Sequence, residues 1–157
     1  MPQPQRTRKH SANPYIISTT SPEHISNVES DFVSIRSIDP NEVSLSTPFG
    51  DRLIAQGRGD IKLTLANGKT LLLKDALYVP TLTTPLFSFA RITKDLGAAG
   101  LQTTATGSII LDANGQPLAT ATLHPKYNLP ALDLNNAVDI PLPDPSDPPV
   151  AYCFSVF

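Results

Sequence analysis

Side chains that do chemistry are sparse in this chain and rarely stand at a working spacing. Its three histidines, His10, His24 and His124, are isolated from one another, and none accompanies a Cys or Asp at metal-ligand spacing. The single cysteine, Cys153, excludes an internal disulfide and any cysteine-rich zinc site. The Gly-x-Ser-x-Gly turn that exposes a catalytic serine does not occur. Gly57-Arg-Gly-Asp60 lacks the remainder of a phosphate loop and reads as a turn or bulge. The densest polar cluster is Ser18-Thr-Thr-Ser-Pro-Glu-His24, directly after the apolar run Tyr15-Ile-Ile17. Its nearest carboxylates, Glu23, Asp31 and Asp39, lie in no glycine-flanked turn and read as solvated loop residues.

The elements around this cluster read as mostly β. Glu42-Val-Ser-Leu-Ser-Thr47 alternates, with Val43 and Leu45 on one face. The turn Pro48-Phe-Gly-Asp51 leads into Arg52-Leu-Ile-Ala-Gln56, and Gly57 and Gly59 permit a bulge beyond it. Ile61, Leu63 and Leu65 alternate with Lys62 and Thr64 ahead of Asn67-Gly68, which predicts a two-residue hairpin of type I′. On the returning strand Leu71, Leu72 and Leu73 are consecutive, which predicts cover on both faces. Asn114-Gly115 predicts a second hairpin, between Ser108-Ile-Ile-Leu111 and Leu118-Ala-Thr-Ala-Thr122. One helix is expected from Pro85 to Leu96, with Thr84 as N-cap, Pro85 in the first position and Gly97 as the stop. Leu86, Phe89, Ala90 and Leu96 would form its inward stripe. Leu63, Leu65, Leu72, Tyr78, Leu86 and Phe89 are the expected core. Short strands with frequent turn residues indicate a small barrel or sandwich.

At 157 residues the chain has room for one domain with tails. Residues 1–13 lack periodicity and read as a disordered arm, residues 14–135 carry the patterned domain, and residues 136–157 form an extended tail. Five of the sixteen prolines lie between Pro141 and Pro149, and the apolar 150–157 segment follows them. A net charge of -2 gives no electrostatic case for nucleic-acid binding, because Arg6, Arg8 and Lys9 alone make a weak patch. No apolar run reaches the length of roughly 18 residues that a membrane span needs. The polar start has no secretory h-region, so an intracellular location is expected, with no cofactor.

Two segments resemble a known family. Gly59-Asp-Ile-Lys-Leu-Thr-Leu-Ala-Asn-Gly-Lys-Thr-Leu-Leu-Leu-Lys-Asp-Ala-Leu-Tyr-Val-Pro80 and Leu86-Phe-Ser-Phe-Ala-Arg-Ile92 resemble the retropepsin-like aspartic protease domain of copia-type retrotransposon Gag-Pol polyproteins. That family has a strand, an Asn-Gly or Asp-Gly turn, a Leu-Tyr-Val-Pro segment and a Leu-Leu-Ser start to its helix. The run Tyr15-Ile-Ile-Ser-Thr-Thr-Ser-Pro-Glu-His-Ile25 is similar to the family's active-site segment, with His24, Ile25 and Phe32 at matching places. The similarity extends to Tyr127-Asn-Leu-Pro-Ala-Leu-Asp133. What it implies is a small retropepsin-like β-barrel with one short α-helix.

The resemblance also implies a loss. It sets Ser18 at the catalytic Asp position, Thr19 at its Ser/Thr partner and Thr20 at the Gly, and no Asp in the chain precedes Ser-Gly or Thr-Gly. Proteolysis of this kind needs two carboxylates sharing a proton, one from each copy of a symmetric dimer. A serine hydroxyl does not ionise near neutral pH, and a β-branched Thr20 resists the tight turn that glycine permits. The resemblance therefore implies a domain of aspartic endopeptidase ancestry with no intact catalytic residue. A peptide-binding module that uses a groove or strand edge and a residual non-standard protease stay open as alternatives. A homodimer and an extended peptide are the expected partners.

Overall fold

The computed structural model describes residues 7–11, 13–43, 45–46 and 52–141. The strands in order are β1 (Thr7–Ser11), β2 (Ile16–Ser18), β3 (Ile25–Ser26), β4 (Phe32–Ser37), β5 (Leu45–Ser46), β6 (Arg52–Leu53), β7 (Gly57–Thr64), β8 (Thr70–Tyr78) and β9 (Leu86–Ser88). After helix α1 (Phe89–Leu96) come β10 (Gly100–Thr103), β11 (Gly107–Leu111), β12 (Pro117–Leu123), β13 (Pro130–Leu132) and β14 (Ala137–Pro141). Ten strands form one sheet in the order β10-β11-β12-β13-β2-β9-β3-β8-β7-β4. The fold is thus mostly β, with a single short α-helix among the described residues, a small β-barrel-like domain.

Apolar residues cover both faces of the sheet's centre. In β2, Ile16 joins one core cluster with Ile25, Leu77 and Leu86, while Ile17 joins the other with Leu73, Phe87 and Ile92. Adjacent strand residues point to opposite faces, so a strand buried on both sides reads as an unbroken apolar run. That is the physical content of Tyr15-Ile-Ile17 and of Leu86-Phe87.

Both Asn-Gly hairpins form, but by another turn than type I′. At the first, Leu65 N–H donates to Lys69 O at 2.8 Å and Gly68 N–H to Leu65 O at 2.9 Å. At the second, Asp112 N–H donates to Gln116 O at 2.8 Å and Gly115 N–H to Asp112 O at 3.0 Å. Gly68 and Gly115 have φ of 86° and 75°, and neither Asn67 nor Asn114 has positive φ. These are three-residue loops, a type I turn closed by a left-handed glycine bulge. The side chains favour this form. Asn67 Oδ1 accepts from Lys69 N at 2.9 Å, and Asp112 Oδ1 accepts from both Asn114 N and Gln116 N.

The helix starts later than expected. Leu86, Phe87 and Ser88 form β9, which pairs in parallel with Ile16, Ile17 and Ser18. Ser88 is the N-cap, its Oγ accepting from Arg91 N at 3.0 Å, and Gly97 ends the helix with φ of 69°. Thr84 is buried and its hydroxyl donates to Pro14 O, so it locks a loop instead of capping. The ladder to β2 overrides a local helix signal because it supplies backbone partners that a helix cannot reach. The inward face is correspondingly different: Ile92 is buried, Phe89 half-buried, and Ala90 and Leu96 are exposed.

Core membership follows the pleat. Leu63, Leu65 and Leu86 are buried as expected, and Tyr78 is half-buried. Leu72 is 40% exposed whereas Leu71 and Leu73 are buried, so β8 is covered on one face there and open on the other. Where an arm and an extended tail were expected, Thr7–Ser11 and Ala137–Pro141 form an antiparallel two-stranded ribbon separate from the main sheet. Such pairing runs through the backbone and leaves no local periodicity to read. Residues 1–6, 12 and 142–157 of these segments lie outside the described residues.

Candidate functional site

The strand β9 lies between β2 and β3, so residues 19–24 must cross its end to connect them. That crossing places Ser18, Ser21, His24 and Ser88 together at the start of α1. Ser18 Oγ accepts from Thr20 N at 3.3 Å and from Ser21 N at 3.0 Å. A serine hydroxyl that folds back on the next amide groups closes a small turn by itself. Ser88 Oγ donates to Ser21 O at 2.6 Å, and Ser88 N–H donates to His24 Nδ1 at 2.9 Å. The turn is therefore bolted to both the strand and the helix cap by buried hydrogen bonds.

His24 is 1% exposed and packs on Phe87 with ring centroids 5.2 Å apart. Burial, with the Arg91 charge nearby, pushes its pKa down to about 4, so the ring is neutral at physiological pH. Its Nε2 is buried and meets no partner among the described residues. His24 acts here as a fixed acceptor for the Ser88 amide. His124 is likewise buried, accepting from Lys126 N at 3.1 Å and lying 4.8 Å from the Tyr127 ring. No cluster of three His, Cys, Asp or Glu side chains poised for a metal occurs among the described residues.

The carboxylates near this turn are occupied elsewhere. Glu23 Oε2 pairs with Arg58 Nη1 at 3.4 Å and Arg91 Nη1 at 3.2 Å. Arg91 also reaches Asp95 at 3.0 Å and Asp75 at 3.6 Å, so this one guanidinium ties the turn to the helix and to β8. Asp31 Oδ2 accepts from the Tyr15 hydroxyl at 2.6 Å, Asn13 Nδ2 at 3.0 Å and Ser26 Oγ at 3.1 Å. Burial, with Asp31 as acceptor, raises the Tyr15 hydroxyl well above its usual range, which keeps it a donor. Asp39 Oδ1 accepts from Asn41 N at 2.9 Å within its own turn. Neither Asp31 nor Asp39 joins the cluster at Ser18.

The segment 57–60 is strand, and its glycines have a steric reason. A Cβ on Gly59 would stand 1.9 Å from Ser34 O, so only glycine lets β4 approach β7 there. The register shifts between Gly59 and Ile61, where Asp60 Oδ1 accepts from Asp75 N at 3.1 Å. Asp75 itself has φ of 53°, and Arg58 Nη1 donates to its carbonyl at 2.9 Å. The arginine and aspartate of this segment thus hold a paired irregularity in β7 and β8.

Thr19 and Thr20 are exposed, and Ser18 is nearly buried beneath them. Sequence reasoning missed Ser88, Glu23, Arg58 and Arg91 as parts of this assembly. Ser88 carried a signal, a serine three residues ahead of Arg91 at the head of an apolar-periodic stretch, but Thr84-Pro85 presented a stronger one. As chemistry, the cluster offers neutral hydroxyls, a neutral imidazole and salt-bridged acids. It contains no pair of carboxylates able to share a proton.

The family described as "Pol polyprotein, beta-barrel domain" matches residues 15–96, which span β2 through α1 and the whole cluster. No curated protein and no solved structure matches the chain.

Proposed function

The chain belongs to the Pol polyprotein β-barrel domain family, and from that premise we propose that it is a retropepsin-like domain of copia-type retrotransposon origin that does not cleave peptides. The observation that carries the reading is the turn after β2. Ser18 Oγ, where the resemblance sets the catalytic carboxylate, accepts from the two backbone amides that follow it. A hydroxyl in that place holds the turn but cannot act as base toward water or share a proton with a symmetry mate. The candidate substitutes, Glu23, Asp31 and Asp39, each satisfy other donors. The test is incubation of the purified protein with a random peptide library from pH 3 to pH 8. No cleavage is expected; cleavage blocked by a transition-state mimic of aspartic proteases would overturn the reading.

A second reading concerns what the domain keeps. The strand β4 is the last in the ten-stranded order, and among the described residues it pairs only with β7. Its residues from Val33 to Ser37 are exposed. An edge of this kind accepts an extended segment by strand addition, with main-chain hydrogen bonds for affinity and alternate side chains for selection. On this reading the domain binds an extended peptide along β4, and a homodimer is not required for binding.

A further inference from the structure

We infer that a cavity beneath α1 binds a short branched-chain aliphatic carboxylate, with its alkyl group inside and its carboxylate at Lys69. The site shares no residue with the turn at Ser18 or with β4, so it does not depend on either reading above. The cavity measures about 110 Å³. Its walls come from Leu71 of β8, Phe87 of β9, Ile92 of α1, Ile110 of β11 and Ala119 of β12, all of them buried. The sequence explains the void. Ile92 is the one buried residue of α1, and Leu96, a turn further on, is 47% exposed. A helix that turns so little bulk inward, over a sheet position filled only by Ala119, leaves space beneath it. Folded interiors hold few voids larger than a water molecule, so one of this size is suited to an occupant.

The lining selects the occupant's chemistry. Lys69, Thr70 and Leu96 line the same cavity and are exposed, which puts its mouth between the end of α1 and the start of β8. Lys69 and Thr70 are its only polar side chains, and no Asp or Glu lines it. Water is a poor fit deeper in, because a buried water needs roughly two to four polar partners. Lys69 makes no ion pair among the described residues. Its backbone is held by the hairpin, with Leu65 N–H donating to Lys69 O at 2.8 Å and Lys69 N–H donating to Asn67 Oδ1 at 2.9 Å. An apolar hole with a fixed cation and a hydroxyl at its rim fits an anion with an apolar tail.

Size limits the tail. A dry apolar cavity of roughly 150 Å³ holds a benzene ring. This one is smaller, which suits a branched alkyl group of about four or five carbons. A long-chain fatty acid would leave most of its tail in water and gain nothing from it.

The test is titration of the full chain with isocaproate at neutral pH, followed by NMR of side-chain methyl groups. Resonances of Leu71, Ile92 and Ile110 should shift and saturate with a Kd on the order of millimolar. Those of Ile16 and Ile25, in the other core cluster, should stay in place. Lys69→Gln should weaken isocaproate by about two- to fivefold, the range of one exposed ion pair, and leave the neutral isocaproamide unaffected. Ala119→Leu, which fills the cavity, should abolish binding of both. Xenon, which enters dry apolar cavities, needs no variant: it should shift the same methyl groups in the unmodified chain and compete with isocaproate. Equal binding of acid and amide, insensitive to Lys69→Gln, would overturn the carboxylate assignment. Xenon shifts without isocaproate binding would show a void that takes no acid, and overturn the site. Shifts from neither, or isocaproate shifts spread over both core clusters, would overturn it as well.

Discussion

His24 shows how one buried side chain makes stability depend on pH. Its ring is neutral because burial pushes its pKa from 6.5 to about 4, and its Nδ1 accepts from the Ser88 amide. Between those two pH values the unfolded chain takes up a proton that the folded chain refuses. The resulting stability is fully present above about pH 6.5 and is lost as pH falls toward 4, by on the order of 3 kcal/mol in all. Urea unfolding of His24→Asn, which keeps an acceptor near the Nδ1 position, should show a shallower decline across that interval than the unmodified protein. Parallel curves would mean that His24 does not set the acid sensitivity. The sequence placed His24 at a family position but gave no sign of its burial, since an isolated histidine among polar residues carries no hydropathic period. The same limit hid Glu23, Arg58 and Arg91, whose meeting depends on β7, the 19–24 crossing and α1 arriving at one place.

At the scale of elements, the legible features were those whose signal is local. Asn-Gly marked both hairpins because a left-handed residue is needed there, but the turn type depended on side-chain bonds from Asn67 and Asp112 that the dipeptide does not specify. Thr84-Pro85 mimicked a helix start, and only the parallel ladder to β2 reveals that Leu86, Phe87 and Ser88 are strand. In β8, three consecutive leucines suggested two covered faces, yet one face meets solvent. Leu73→Ala should therefore cost about 2–5 kcal/mol, whereas Leu72→Ala should cost less than about 1 kcal/mol, read from denaturant midpoints. Similar losses for the two would mean that the outer face of β8 is covered in solution. Two glycines make a second contrast at this scale. Gly68→Ala meets open space and should cost about 1 kcal/mol for its positive φ, but Gly59→Ala drives a methyl into Ser34 O. The latter should unpair β4 from β7, seen as loss of hydrogen-exchange protection confined to those strands.

For the molecule as a whole, the proposed retropepsin-like reading turns on what position 18 would need in order to support proteolysis. The resemblance was legible in the linear motifs because strand, turn and Leu-Tyr-Val-Pro segments are contiguous. The quaternary arrangement that proteolysis needs is not written in one chain. The turn after β2 already donates two backbone amides toward position 18, and those donors would stabilise an ionised carboxylate. Ser18→Asp alone should thus give an inert, charged aspartate with a low pKa. Thr20→Gly relaxes the turn, but a second carboxylate still has to arrive from another copy, because like charges at short range force one of the pair to keep its proton. Ser18→Asp/Thr20→Gly is therefore expected to cleave peptides only at concentrations where light scattering shows a dimer, with a bell-shaped pH dependence that reports the shared proton. Fusing two copies of the double variant through a flexible linker should remove the concentration dependence and keep the bell. Activity in a strictly monomeric double variant, or a single sigmoidal pH profile, would place the catalytic carboxylates within one chain. The proposed assignment of position 18 to a two-copy site would then be wrong.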